Sequence, residues 1–377
     1  MTQESFFSEI NEQLLQELPF VVYRKPGESL IKAVLQEDSL TYTSKDFSES
    51  GFVLSPFDDQ RESILIPFDH AQVLELSVFE SSMGPEISQP AALNLSDTLA
   101  KQAHLELVEK ALGKLTDGSL EKVVLSRKEE VELKRMEPVK VFTDLLQNYP
   151  NAFVYCWFHP ETGFWLGATP ETLLSTEGLN FSTMALAGTR KFTGTMQVDW
   201  GEKEKLEQKY VTDAILENLN ELKLTEELKV SETYTSRAGG VVHLRTDISG
   251  KLGSGGSLGE IVKSLHPTPA VCGLPREKAR EFILEEENHD REYYTGFLGE
   301  LNFQEKTTRP RHRRNMENLA YGTMRKKTAL YVNLRCMKLS GNKAVIFVGG
   351  GITKDSVPED EYQETLNKAQ TMKKVIQ

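Results

Sequence analysis

Ala329-Leu330-Tyr331-Val332-Asn333-Leu334-Arg335-Cys336-Met337-Lys338-Leu339, followed by Ser340-Gly341-Asn342 and Lys343-Ala344-Val345-Ile346-Phe347-Val348, reads as two strands joined by a tight turn. Gly and Asn accept the positive φ that short hairpin turns require, and the flanking apolar and β-branched residues suit a pleated surface. The same pattern recurs upstream. Strands are expected at Phe20–Tyr23, Ser63–Pro67, Lys122–Arg127, Ala152–Phe158 and Gly163–Gly167. Helices are expected at Gln3–Gln16, Leu95–Leu115, Val139–Gln147, Gly201–Leu222 and Leu258–Leu265. Strands that arrive mostly in hairpins, without regular βαβ alternation, favour an α+β fold with antiparallel sheets. No repeat or low-complexity linker divides the chain. Residues 101–377 read as one catalytic domain, and residues 1–100, which carry no recognisable chemistry, as a variable N-terminal part of the same fold.

The hairpin runs into Val348-Gly349-Gly350-Gly351-Ile352 and then Ser356-Val357-Pro358-Glu359-Asp360-Glu361-Tyr362-Gln363-Glu364-Thr365-Leu366-Asn367-Lys368. Three glycines after a strand let backbone N–H groups approach a carboxylate or phosphate closely. Ser356 and Glu359 form a capping-box pattern, and Glu361, Glu364 and Lys368 share one helix face. Paired carboxylates suit Mg²⁺, a hard ion that takes a few protein oxygens, several waters and an anionic substrate. An isolated ExxE, by contrast, reads as a solvated helix face.

Composition sets the outer limits. The 377 residues are 39% hydrophobic and 27% charged, ordinary globular material. Met1 to Ile10 lacks the basic start and apolar core of a signal peptide, and no apolar run is long enough to cross a bilayer, so a cytoplasmic protein is expected. Cys156, Cys272 and Cys336 have neither disulfide-framework nor zinc spacing. A net charge of −12 argues against a general nucleic-acid binder. Against that average, Lys306 to Lys327 carries eight basic residues and the single acid Glu317. It reads as a long basic hairpin loop, or alternatively as a surface for RNA, an acidic partner or lipid.

Four further segments offer chemistry. Glu204 and Glu207 share a face of the helix beginning at Gly201, apart from Leu206, Tyr210 and Ala214, and two acidic helices meeting at one Mg²⁺ would relieve each other's repulsion. Lys122 opens an otherwise apolar strand, with Val124 and Ser126 on its side. Such a lysine is either a snorkelling edge residue or, desolvated in a cleft, a general base. Glu171, in Gly167-Ala168-Thr169-Pro170-Glu171-Thr172, is either a first-turn helix acid or a catalytic acid. His266 to Pro275 is stiff and turn-rich, fit for one wall of a pocket.

In linear order from about Lys110 to Lys374, the segments KVVLSR, GATPETLL, ALAGTR, KEKLEQ, HLRTDI, HPTPAVCGLPREKA, DREYYTGFLGE, LRCMKL, GGGI and EYQETLNK together resemble the chorismate-utilising, anthranilate synthase component I-like enzymes. Within that family they resemble the isochorismate synthases most. The resemblance implies antiparallel sheets layered with helices around a central substrate cleft, Mg²⁺ dependence and chorismate as substrate. By position, Lys122 looks like the base that activates water for attack at C2, and Glu171 like the acid that protonates the departing C4 hydroxyl. Glu207 and Glu364 resemble the metal ligands, with Glu204 and Glu361 as nearby or water-mediated partners. Ala187, Gly188, Thr189 and Lys368 would hold the ring carboxylate. Arg335, Tyr294 and the amides of Gly349, Gly350 and Gly351 would hold the enolpyruvyl carboxylate, with His243 near the ring.

The amine-transferring relatives usually have Gln where Lys122 stands, and the aminodeoxychorismate enzymes Lys where Ala187 stands. No fused amidotransferase segment is expected, nor an amidotransferase subunit, membrane or nucleic-acid partner. Ala270 looks like isochorismate synthase, whereas salicylate synthases, the enzymatic alternative, tend to have Thr there. A non-catalytic regulatory or nucleic-acid-binding protein using the basic loop is the alternative of a different class. Gln208 stands where a histidine is common, and Gly350 where an alanine is common.

Overall fold

The computed structural model describes residues 1–77, 79, 95–223, 225–238, 241–253, 255–307 and 323–376. Helix α1 (Gln3–Leu15) precedes strands β1 (Phe20–Arg24), β2 (Ile31–Gln36), β3 (Tyr42–Ser44), β4 (Gly51–Ser55), β5 (Ser63–Pro67) and β6 (Ala71–Leu76). Helix α2 (Leu95–Thr116) leads into β7 (Lys122–Glu132), α3 (Pro138–Asn148), β8 (Phe153–His159), β9 (Gly163–Thr169), β10 (Thr172–Glu177) and β11 (Asn180–Lys191). Next come α4 (Glu202–Glu221), β12 (Thr225–Val230), β13 (Tyr234–Ala238), β14 (Val241–Leu252), α5 (Leu258–Leu265), β15 (Gly273–Leu274) and α6 (Arg276–Glu286). The last elements are β16 (Phe297–Thr307), β17 (Thr323–Val332), β18 (Cys336–Ser340), β19 (Lys343–Ile352) and α7 (Pro358–Lys373).

These strands form two antiparallel sheets, as the hairpin grammar predicts. One has nine strands in the order β15-β7-β19-β18-β9-β8-β1-β2-β6; the other has ten, β12-β14-β11-β10-β17-β16-β4-β5-β3, with β13 also on β14. Strands from the first hundred residues lie at one end of each sheet, β1 pairing with β8 and β4 with β16. The sheets meet through large aromatic side chains. Tyr23, Tyr155, Trp157 and Trp165 of the first pack with Phe52, Leu298 and Tyr331 of the second, and the Phe153 and Tyr331 rings stack 4.1 Å apart. Burying each such side chain contributes about 1.5–3 kcal/mol. The outer face of the nine-stranded sheet is covered by Phe6 of α1, Phe142 of α3 and Met372 of α7, and that of the ten-stranded sheet by Val211 of α4 and Ile261 of α5. Strands buried on both faces, such as β1, show continuous apolar runs rather than alternation.

Three local expectations are corrected. The run Ala329–Leu339 is not one strand: β17 belongs to the ten-stranded sheet and β18 to the nine-stranded one. The break lies at Asn333-Leu334-Arg335, where Arg335 takes φ +47° and the Asn333 side chain accepts a 2.6 Å bond from Tyr155 Oη and donates to Tyr293 O at 2.8 Å. No Gly or Pro marks this crossover, so periodicity reads straight through it. The β18–β19 turn does form as expected, with Gly341 at φ +58°. The capping box at Ser356 and Glu359 is absent. Pro358 opens α7 and Val357 is its N-cap, while Ser356 Oγ accepts from Thr353 N–H at 3.0 Å. Finally, the glycine run does not follow a strand: Gly349 to Gly351 lie inside β19 and pair with Val124 to Ser126 of β7.

Close packing between strands gives one testable consequence. Gly299 of β16 has φ +150°, and a Cβ there would lie 1.9 Å from Ala329 O of β17. Gly299→Ala is therefore expected to destabilise the protein by about 2–4 kcal/mol, read as a fall in urea midpoint. An unchanged midpoint would contradict the close approach.

Candidate active site

A single cavity of about 220 Å³ is lined by residues of both sheets together with α4 and α7. It brings together every site residue expected from the sequence: Lys122, Glu171, Ala187 to Thr189, Glu204, Glu207, His243, Ala270, Tyr294, Arg335, Gly349 to Gly351, Glu361, Glu364 and Lys368. Lys122 begins β7 and is 1% exposed; its Nζ donates to Glu207 Oε1 at 2.9 Å. Gly351 makes room for this pair, since a Cβ there would sit 3.1 Å from both Lys122 Cε and Glu207 Oε1.

Glu171 lies in the connection between β9 and β10, not at the start of a helix, which corrects the first-turn reading. Its carbonyl accepts from Val332 N–H at 3.0 Å, and its carboxyl is buried. Burial pushes that carboxyl up to about 8, with the positive charges of Lys122 and Arg335 pulling it part of the way back. At neutral pH it holds a proton, as a general acid must.

His243 of β14 and Arg335 form a linked pair. Burial, aided by the Arg335 charge, pushes the imidazole down to about 3, so the ring is neutral. Nδ1 lies 2.9 Å from Gly188 O and Nε2 lies 3.0 Å from an Arg335 Nη. A carbonyl only accepts and a guanidinium only donates, so the proton belongs on Nδ1 and Nε2 accepts from Arg335. His243 thereby orients the fork of Arg335. The β11–β14 register shifts between Ala187 and Arg190, which takes Gly188 and Thr189 out of the regular pairing at the cavity edge. Lys368 donates to Gly349 O at 2.8 Å and pairs with Glu364 at 2.7 Å. Tyr294 Oη would be 2.9 Å from a Cβ on Gly349, whereas Gly350 leaves ordinary contact distance to Glu361, 3.5 Å.

The four glutamates supply oxygen donors from α4 and α7 to the same cavity, a set whose chemistry fits a hard divalent cation. Among the described residues, no three acids, histidines or cysteines converge closely enough to hold an ion. Instead Glu207 is paired with Lys122, Glu364 with Lys368, and Glu204 with Arg190, whose Nε and Nη reach Oε1 at 2.8 and 2.7 Å. Arg190 is a partner that sequence reading passed over, although it closes the ALAGTR segment. So is the buried pair Glu287 and Arg291, for which no local signal predicts burial.

The pattern described as chorismate binding enzyme matches residues 59–308, and a second pattern of that description matches residues 319–374. The chain belongs to the chorismate-binding enzyme family. Its sequence is 28% identical over 319 residues to isochorismate synthase MenF of Pasteurella multocida, a match covering 80% of this chain and 68% of that protein. It is 27% identical over 298 residues to anthranilate synthase component 1 of Aquifex aeolicus, covering 77% and 56%. Several curated relatives thus extend well beyond the matched stretch. The fold is shared with the menaquinone-specific isochorismate synthase MenF of Escherichia coli, at TM-score 0.73 and 22% identity, covering 95% of this chain and 89% of that one.

Two departures from the family pattern can be located. Gln208 is turned into the sheet, donating to Thr246 Oγ1 at 2.6 Å and Thr212 Oγ1 at 2.9 Å, and does not line the cavity. Gly350 leaves space that an alanine would fill without strain. Most of the basic loop lies outside the described residues; at its edge Arg325 pairs with Glu177 at 2.9 Å. Among the described residues, no helix is long and apolar enough to cross a membrane.

Proposed function

We propose that this family member is an isochorismate synthase, which moves the ring hydroxyl of chorismate by adding water at C2 and expelling the C4 hydroxyl. The observation that carries this reading is the pairing, in one cavity, of a buried lysine with a buried carboxyl that keeps its proton at neutral pH. Hydroxide is a poor leaving group, so the two proton transfers are divided. Lys122, once it has left Glu207 and given its own proton to solvent, takes the proton of the attacking water as the free amine while the water oxygen bonds to C2. The ring double bonds shift, the C4–O bond breaks, and Glu171 gives its proton to the departing oxygen.

Substrate is held by its two carboxylates. Arg335, fixed by His243, meets the enolpyruvyl carboxylate with Tyr294 and the amides of Gly349 to Gly351. The Gly188 and Thr189 amides and Lys368 face the ring carboxylate. Glu207 and Glu364, with Glu204 and Glu361 directly or through water, would hold Mg²⁺, which when bound supplies positive charge opposite that carboxylate. Several curated relatives carry the name isochorismate synthase, which supports the reaction class. Ala270 at the cavity wall supports isochorismate as the end product.

The test is incubation with chorismate, with and without Mg²⁺, and product analysis by chromatography and mass. Mg²⁺-dependent formation of isochorismate alone is expected. Salicylate with pyruvate would replace this reading by the salicylate synthase one, and no conversion would overturn both. A pH profile adds a second check. Because Glu171 must be protonated, kcat/KM is expected to fall as pH rises through about 8. A profile flat to pH 9 would remove Glu171 from the acid role.

A further inference from the structure

Beyond its first residues, β7 has little strand cover on one edge. β15 pairs only with Lys122 and Val123, after which Val124 N–H donates to Cys272 O at 2.8 Å. From there two side chains continue the ladder. Glu287 accepts from Ser126 N–H at 2.7 Å and from Ser126 Oγ at 2.9 Å. Arg291 donates to Val124 O at 2.6 Å through one Nη, and through the other to Val271 O at 3.0 Å and Thr295 Oγ1 at 3.2 Å. It also grips Glu287 with Nε at 2.8 Å and Nη at 2.5 Å, so all five guanidinium N–H groups have acceptors. Both side chains are almost wholly buried, 2% and 1% exposed.

Stability alone is a poor reason for this arrangement, because a buried ion pair can often be replaced by apolar residues of similar volume without loss. Its acceptors point to another role. Val124, Val271 and Thr295 all line the cavity, and Lys122 lies two residues before Val124 on the same strand. We infer that Glu287 and Arg291 are a positioning pair, a side-chain splint that holds the Lys122 strand at a fixed height against the loop carrying Ala270 and Val271. Neither touches substrate; they act through the backbone of β7. The inference rests on the proposed reaction, in which Lys122 and Glu171 must address two different ring carbons.

Two variants test it. Arg291→Lys keeps the charge but loses the fork. The double variant Glu287→Leu with Arg291→Met removes both charges at similar volume. Each is expected to fold, by circular dichroism and thermal melting, and to bind chorismate by calorimetry. In each, kcat should fall about tenfold to a hundredfold, as a misplacement near 1 Å does, while KM moves by less than about twofold. Parental kcat in the folded double variant would make the pair purely structural and overturn the inference, as would failure of both variants to fold. If the parent protein leaves chorismate unchanged, the proposed reaction falls and takes the inference with it; an active parent beside an active double variant sinks the splint alone.

Discussion

Glu171→Gln and Lys122→Ala are each expected to lower kcat by about 10²–10⁴, the usual worth of one positioned proton-transfer group. Mg²⁺-dependent chorismate binding should survive in both, since neither side chain is assigned to a substrate carboxylate or to the ion. The Glu171 case separates two roles that burial alone would confuse. Gln keeps the size and hydrogen-bonding capacity of the protonated carboxyl but has no proton to give. If Glu171 merely fills space beside Arg335, the variant keeps its turnover. Steady-state kinetics with calorimetric binding distinguishes the outcomes, and full activity in either variant would overturn the acid and base assignment.

The same substitution carries an opposite expectation for stability. Burial raises the folded-state carboxyl to about 8, above its ordinary value, so the folded protein holds this proton more tightly than the unfolded chain. The group therefore favours folding least where it is ionised, and its contribution falls as pH rises from the ordinary carboxylate range through about 8. Glu171→Gln removes that penalty. Its melting temperature relative to the parent should rise between pH 6 and pH 9. A constant difference across that range would mean that the carboxyl is not held protonated by its surroundings.

Much of this was readable from the chain because the elements obey local rules. The helix Leu258–Leu265 has its expected bounds, with a capping box closed by Ser257 and Glu260, whereas the glycine run, expected after a strand, lies inside β19 because it pairs with β7. What could not be read depends on contacts between distant residues. The Asn333-Leu334-Arg335 crossover looks like strand because its stabilising bonds come from Tyr155 and Tyr293, 178 and 40 residues away. Ser356 and Glu359 satisfy the capping pattern, but Pro358 moves the helix start past them. The site shows the same division. Its residues were named from ordered motifs, whereas the partners that set their electrostatics were not: Arg190 on Glu204, and Arg291 tying the Lys122 strand to the loop opposite. Arg190 meets Glu204 only when α4 packs beside β11, and Arg291 reaches Val124 O only when the segment after α6 closes on β7.

Glu364→Ala should weaken metal and substrate together, each by about tenfold or more, in contrast to the turnover defects of Lys122 and Glu171. In the described structure Glu364 is held by Lys368, and Glu207 by Lys122, at 2.7 and 2.9 Å. Ammonium groups thus occupy the carboxylates that a divalent ion would need. An ion at Glu364 would compete with Lys368 for that carboxylate, and an Nζ displaced in this way would be available to an incoming carboxylate. Removing Glu364 leaves Lys368 with Gly349 O as its remaining described partner and takes one oxygen donor from α7. Titration of Mg²⁺ by calorimetry, without substrate, should show the loss directly, and chorismate titrated at saturating Mg²⁺ should show the second loss. Unchanged Mg²⁺ affinity in the folded variant would place the ion elsewhere. Loss of chorismate affinity with Mg²⁺ affinity intact would instead assign Glu364 to holding Lys368 in line for the ring carboxylate.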